Sequence, residues 1–121
     1  MDTVELPRID RSLIEQVRDR IVDACHPKAI YLFGSAARGQ VREGSDLDLL
    51  VVVDLPEGTS TWDKASELHG LFWGWLVPMD LIVLTPAMFE RSRNIPGGIG
   101  RIVLQEGELL YYSQDGGDGT T

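Results

Sequence analysis

Cysteine and histidine are scarce in this 121-residue chain. The single cysteine, Cys25, excludes an internal disulfide, which suits a reducing compartment and predicts a cytoplasmic protein. The two histidines, His26 and His69, lack the spacing of a metal-binding pair and are interpreted as structural or exposed residues. The chain therefore offers neither a disulfide framework nor a zinc-type motif.

Basic residues are also few, because 11 lysines and arginines stand against 19 acidic residues, and the net charge is −8. Long nucleic acid is bound by surfaces that neutralise phosphates, so this balance disfavours direct binding of long nucleic acid. It remains compatible with a nucleotide carried together with metal ions, or with a basic protein partner.

Long hydrophobic runs are missing as well. The longest apolar stretch, Leu71–Met79, is far shorter than the roughly 20 residues that span a bilayer, and it contains Gly74 and Pro78. The opening "MDTVELPRID" lacks the apolar region of a signal peptide. We expect no membrane association, one domain over residues 1–112, and a disordered tail, "SQDGGDGTT", over residues 113–121.

Hydrophobic periodicity predicts helices alternating with strands. The predicted helices cover residues 9–25, 59–76, 86–93 and 97–106, and the predicted strands cover 28–34, 47–53, 79–85 and 108–112. In the second helix, the spacing places Trp62, Leu68, Phe72 and Leu76 on one side. This order predicts a small α/β or α+β fold, in which a mixed sheet is flanked by helices.

Two aspartates, Asp46 and Asp48, stand one residue apart at the start of the apolar run "DLLVVV". Side chains of a strand alternate between its faces, so these two carboxylates point the same way. Partly desolvated like charges repel unless a cation neutralises them, and Mg²⁺ binds one or two carboxylates together with substrate phosphates. Taken alone, the motif also fits a solvated loop end.

A third acid, Asp80, lies in another apolar strand, "MDLIVLT". An unpaired carboxylate among apolar residues is costly. If this strand neighbours the first, three carboxylates converge, and such a set suits a pair of magnesium ions that clamp an in-line displacement. A turn or helix-stop acid is the alternative interpretation of Asp80.

The segment "GSAARG" begins at Gly34 and matches neither a P-loop nor a dinucleotide-binding fingerprint. However, Gly34 follows a predicted strand, and Ser35 opens a helical turn. Free backbone N–H groups at such a turn favour phosphate, and glycine permits close approach. When the pair is considered alone, an ordinary tight turn explains it better than a phosphate site does.

In combination, these features give G-S-x10-D-x-D followed by a later aspartate on a strand. This pattern resembles the DNA polymerase β-type nucleotidyltransferase superfamily. Arg38-Gly39, "SDLD" at residues 45–48 and the ending "GRIVLQEGELLYY" make the chain similar to the minimal nucleotidyltransferase (MNT) group. The resemblance extends from about Ile9 to Tyr112.

The resemblance implies roles for five residues. Gly34 and Ser35 would hold a nucleoside triphosphate, and Asp46 and Asp48 would bind two Mg²⁺ ions. Asp80 would complete the second metal site and orient or deprotonate the attacking hydroxyl.

Two further residues are assigned to the nucleotide. Arg38 would contact phosphate, although an exposed turn arginine is the alternative, and Ser45 belongs to the same "SDLD" motif. The reaction implied is attack on the α-phosphorus of ATP, with pyrophosphate leaving.

The resemblance also implies a partner, because minimal nucleotidyltransferases commonly act as antitoxins of a small helical HEPN protein, an RNase toxin. In that group AMP can be transferred to a tyrosine of the toxin. Two alternatives stay open: a binding module that blocks its partner stoichiometrically, and an enzyme that transfers a nucleotide to a small molecule such as an antibiotic.

Overall fold

A four-stranded sheet organises the protein in a computed structural model that describes residues 9–39 and 46–113. The helices are α1 (Arg11–Cys25), α2 (Gly34–Ala37), α3 (Thr61–Gly70), α4 (Pro86–Arg93) and α5 (Ile99–Glu106). The strands are β1 (Ala29–Phe33), β2 (Leu47–Val52), β3 (Met79–Leu84) and β4 (Glu108–Tyr112). The predicted order of elements and the α/β class are confirmed. The expected tail, from residue 114 onwards, lies outside the described residues.

The sheet is mixed, and its strand order is β3-β2-β1-β4. Strand β1 runs antiparallel to both β2 and β4, whereas β2 and β3 are parallel. Parallel neighbours need a crossover connection, which α3 supplies. The strands β3 and β4 therefore form the two edges of the sheet.

The ends of the helices follow their capping residues. The Asp10 side chain accepts a hydrogen bond from the Leu13 backbone N–H at the start of α1, and Ser60 caps α3 in the same way. At the end of α1, His26 adopts a left-handed conformation with φ 47°. The following Pro27 disfavours a helical residue at this position, so the chain turns into β1.

Helices cover both sides of the sheet, and we name the sides by those helices. The first face is covered by α1 and α3, and the second face by α4 and α5. Along β2, Leu49 and Val51 pack on the first face, whereas Leu50 and Val52 pack on the second. Burial on both sides explains why this strand is a continuous apolar run rather than an alternating one.

One predicted helix is too long. We expected it to run to residue 76, but α3 ends at Gly70 and turns follow, with Gly74 at φ 88°. Glycine is a poor helix former, and it interrupts the pattern twice here. The predicted buried side is also partly wrong, because Trp62 is 81% exposed and Leu76 is 56% exposed. No helix in the described part of the chain is long and apolar enough to cross a membrane.

Candidate functional site

The three predicted aspartates lie at the starting ends of β2 and β3. Asp48 and Asp80 are direct register partners across the parallel pair, so their side chains share a face of the sheet. Asp46 precedes β2 and lies two residues before Asp48, which places it on the same side by strand alternation. The sheet therefore brings together carboxylates that are 34 positions apart in the chain (80 − 46 = 34).

These carboxylates influence one another electrostatically. Burial raises the pKa of Asp48 above its ordinary value, and the negative charges of Asp80 and then Asp46 raise it further. The Arg38 guanidinium acts in the opposite direction. The ionised form of Asp48 is thus disfavoured unless positive charge approaches, which is the condition that a cation site creates.

The incomplete cover of the second face leaves this site open to solvent. The apolar cluster under α4 and α5 includes Leu50 and Val52, further along β2. Towards the start of the strand, Asp48 is half-buried, and Asp46 and Asp80 are exposed. A substrate can therefore approach the carboxylates from the second face.

The Gly34 turn packs directly against the carboxylates. Phe33, at the end of β1, is the register partner of Asp48, and Gly34 follows it with φ 73°. A Cβ atom at Gly34 would overlap Asp48 Oδ2, so only glycine fits both the backbone angle and the contact. Ser35 comes next, half-buried in α2, whose first N–H groups have no partner within the helix.

Two predicted nucleotide-binding residues remain, Arg38 and Ser45, and the structure describes only Arg38. Arg38 ends α2, and its Nη1 lies 3.9 Å from Glu106 Oε1. Its effect on the pKa of Asp48 puts its charge within reach of the carboxylates. Ser45 lies outside the described residues.

The three aspartate carboxylates are chemically suited to bind a hard divalent cation. Among residues 9–39 and 46–113, no three or more histidine, cysteine or acidic side chains are already arranged to hold a metal ion. The carboxylates of Asp46, Asp48 and Asp80 nevertheless supply hard oxygen ligands, and Asp46 and Asp80 act on Asp48 as like charges. This combination suits Mg²⁺ that completes its coordination with substrate phosphates, rather than a cage closed by protein ligands alone.

One feature beside the site was missed by the sequence reasoning. A groove of about 300 Å³ lies between the start of α3 and β3, and its lining includes both Trp62 and Asp80. The helical spacing assigned Trp62 to a buried side, and no local signal places it beside a strand that begins 17 residues later (79 − 62 = 17). Only the packing of α3 on β3 brings them together.

Comparison with known sequences identifies the family. The model of the family described as "Nucleotidyltransferase domain" matches residues 11–114. A protein of Methanocaldococcus jannaschii, described as a candidate protein adenylyltransferase, is 36% identical over 85 residues. That alignment covers 69% of this chain and 78% of the archaeal protein.

Solved structures share the fold. A candidate nucleotidyltransferase of Sulfolobus solfataricus superposes with a TM-score of 0.59 at 20% identity, covering 88% of this chain and 82% of the other. A toxin–antitoxin complex with AMP-PNP superposes with a TM-score of 0.53 at 24% identity, covering 84% and 75%. The family match over residues 11–114, on a fold that joins the Gly34 turn to the aspartates, shows that the chain belongs to the nucleotidyltransferase domain family and is a nucleotidyltransferase.

Proposed function

We propose that this nucleotidyltransferase acts in the cytoplasm as the antitoxin of a HEPN-type RNase toxin, and transfers AMP from ATP to a tyrosine hydroxyl of that partner. The observation that carries the proposal is the register pairing of Asp48 with Asp80, with the Gly34 backbone packed against Asp48. The description of the M. jannaschii relative as a protein adenylyltransferase supports the type of acceptor. The shared fold with a chain of a toxin–antitoxin complex that holds AMP-PNP supports a toxin partner and the nucleotide.

The triphosphate is proposed to bind at the Gly34 turn. The backbone N–H groups that open α2 donate to phosphate oxygens, and the Ser35 hydroxyl adds a further donor. Arg38 and Ser45 contribute additional phosphate contacts in this proposal. The absence of a side chain at Gly34 keeps the phosphates close to the carboxylates.

Asp46 and Asp48 would hold two Mg²⁺ ions in this proposal, and Asp80 would complete the second metal site. When bound, the ions supply charge stabilisation for the leaving pyrophosphate and lower the pKa of the acceptor hydroxyl. Asp80 orients this hydroxyl and accepts its proton. The acceptor oxygen bonds to the α-phosphorus as the bond to pyrophosphate breaks, so the work of the protein is positioning and electrostatics.

The charge of the chain supports a protein acceptor. A net charge of −8 disfavours a long nucleic acid as the acceptor and suits a basic protein surface. The carboxylates are open on the second face, where exposed Asp46 and Asp80 leave room for a large partner.

The proposal is tested by incubating the chain with ATP, Mg²⁺ and the product of its neighbouring gene, followed by intact-mass measurement. We expect an AMP-sized gain on the partner. The double variant Asp46→Asn/Asp48→Asn should lower the rate by roughly 10³-fold or more, because several kcal/mol of charge stabilisation are lost.

The matched control is Asp54→Asn. Asp54 follows the other end of β2, is exposed, and lies 3.4 Å from the Lys28 ammonium, so its loss should leave the rate unchanged. A tight complex with unchanged masses would instead identify a stoichiometric blocker. Nucleotide transfer to a small hydroxyl compound, with none to the partner, would identify the small-molecule enzyme.

A further inference from the structure

Side chains on the second face of the sheet form rows across β1, β2 and β3. The register of the strands defines the two rows nearest the candidate site: Phe33, Asp48 and Asp80, followed by Tyr31, Leu50 and Ile82. Successive residues on one face of a strand are roughly 6–7 Å apart. Ile82 is therefore the next side chain along β3 from Asp80, on the face to which the aspartates point.

The helical cover of this face becomes thinner from β2 to β3. Leu50 and Val52 of β2 are buried, with exposed fractions of 0% and 4%. Their register partners on β3, Ile82 and Leu84, are only half-buried, although they pack against the same cluster under α4 and α5. In the described sheet β3 is an edge strand, so no strand lies beyond it. Ile82 therefore keeps accessible apolar surface one row away from Asp80.

The proposed reaction gives the site a phosphate side and an acceptor side. The Gly34 turn, where the triphosphate is proposed to bind, follows β1 and packs against Asp48. Asp80 lies on the other side of Asp48, on β3. In-line displacement places the attacking hydroxyl opposite the leaving pyrophosphate. With the pyrophosphate near the Gly34 turn, the group that carries the hydroxyl lies over β3, where Ile82 is the first side chain beyond Asp80.

We propose that Ile82 forms one wall of an acceptor subsite, which holds the phenol ring of a tyrosine with its hydroxyl beside Asp80. This inference rests on the proposed function and specifies the chemical class of the acceptor. A phenol ring is flat, rigid and apolar except at its hydroxyl, so one group can contact both Ile82 and Asp80. The hydroxyl-bearing side chains of serine and threonine have no ring and lose the contact with Ile82.

Adenine is the competing occupant of this surface, because it is also flat and aromatic. The position of Ile82 favours the acceptor. Ile82 lies on the edge strand, two strands away from β1 and the Gly34 turn that follows it. A polypeptide that approaches from solvent reaches an edge strand directly, and the exposed carboxylate of Asp80 marks the point of approach.

The kinetic test uses two basic peptides, lysine–tyrosine–lysine and lysine–serine–lysine, as acceptors with saturating Mg²⁺–ATP. Ile82→Ala should lower the tyrosine-to-serine ratio of kcat/KM by about tenfold, because the ring loses its apolar contact. The change in this ratio reports the contact, since the intrinsic reactivity of the two hydroxyls is the same with both enzymes. Ile82→Leu, which conserves the apolar volume, should keep most of the preference.

Leu84→Ala is the matched control. It removes an equally large apolar side chain from the same face of the same strand, one row further from Asp80. It should lower the free energy of unfolding, as Ile82→Ala does, and leave the ratio unchanged. An equal fall of the ratio in the two variants would show a structural effect on β3 and would overturn the subsite.

Methyl NMR of the wild type separates this inference from the proposed function. With Mg²⁺ and α,β-methylene-ATP bound, the tyrosine peptide should shift the Ile82 methyl signals through the ring current, and the serine peptide should not. A shift without AMP transfer to any hydroxyl would support the subsite and contradict the proposed function. Transfer to tyrosine without a shift, or with the same ratio in Ile82→Ala, would overturn the subsite and leave the proposed function standing.

Two further outcomes of the NMR experiment are decisive. A shift caused by the nucleotide analogue alone, with none added by the tyrosine peptide, would assign the surface of Ile82 to adenine and overturn the subsite. Neither a shift nor AMP transfer would overturn both the subsite and the proposed function.

Discussion

The two faces of the sheet bury different extents of apolar surface. On the first face, α1 and α3 cover the larger cluster, which includes Leu49 of β2. On the second face, α4 and α5 cover a smaller cluster around Leu50. The strand continues from this smaller cluster to Asp48, which is half-buried. The comparison teaches that stability and chemistry are divided between the faces, because the carboxylates occupy the part of the sheet that the helices leave uncovered.

The largest expected effect comes from deleting neighbouring leucines of β2 that point to opposite faces. Leu49 and Leu50 are both fully buried. We expect Leu49→Ala to lower the free energy of unfolding by about 4 kcal/mol and Leu50→Ala by about 2 to 3 kcal/mol. The cluster around Leu50 contains fewer buried side chains, so it relaxes around the lost atoms more readily. Urea unfolding of both variants measures this, and an equal or reversed order would refute the proposed division between the faces.

A smaller effect is expected at the turn that faces the carboxylates. Gly34→Ala introduces a Cβ against Asp48 Oδ2 at a positive φ, whereas Gly39→Ala introduces one at φ 71° with no atom of the described residues within 4 Å. Gly39→Ala should therefore lower the free energy of unfolding by about 1 kcal/mol through backbone strain alone. Gly34→Ala should lower it by at least about 1 kcal/mol more, through overpacking.

Nucleotide titration adds a second measurement to this pair. The affinity for ATP should fall in Gly34→Ala and persist in Gly39→Ala, because only Gly34 packs against a site carboxylate. Similar losses of stability and affinity in both variants would show that glycine is needed at residue 34 for its positive φ alone, and not for its close contact with Asp48.

The smallest expected effect is the pH dependence of stability that Asp48 contributes. Its pKa is raised in the folded protein above the ordinary value of 3.8, so the folded state binds more protons than the unfolded state between those two values. The free energy of unfolding from this group therefore decreases as pH rises through that window, and the loss persists at higher pH.

The comparison variant for this measurement is Asp48→Asn, which removes the titrating group. Urea unfolding across pH 3.5 to 7, on the order of the window implied by acidic pKa values, should show a shallower decline with rising pH in the variant than in the wild type. Parallel pH profiles would contradict the partly buried, like-charged environment inferred for Asp48. Added Mg²⁺–ATP should reduce the difference by neutralising the carboxylates.

Most elements were predictable because their signals are local. Strand β2 is a continuous apolar run, and Pro86 is the first residue of α4. Asp10 and Ser60 each accept a hydrogen bond from the backbone N–H three residues later, at the start of a helix. The candidate site was predictable in part, since Asp46 and Asp48 are neighbours in the sequence and Gly34 directly follows a strand. The wrong predictions concern α3, because the apolar residues kept their helical spacing beyond Gly70 although the helix ends there.

The amino-acid sequence by itself determined which residues could do chemistry and which elements carry them, because capping, alternation and short motifs act over a few residues. Only the tertiary structure decided that Asp80 stands beside Asp48, that the Gly34 backbone contacts the same carboxylate, and that Trp62 lines the edge of β3. Those contacts join segments distant in the chain. They depend on strand order and helix packing. Burial of the apolar surface of the whole chain determines both, and no local sequence pattern encodes them.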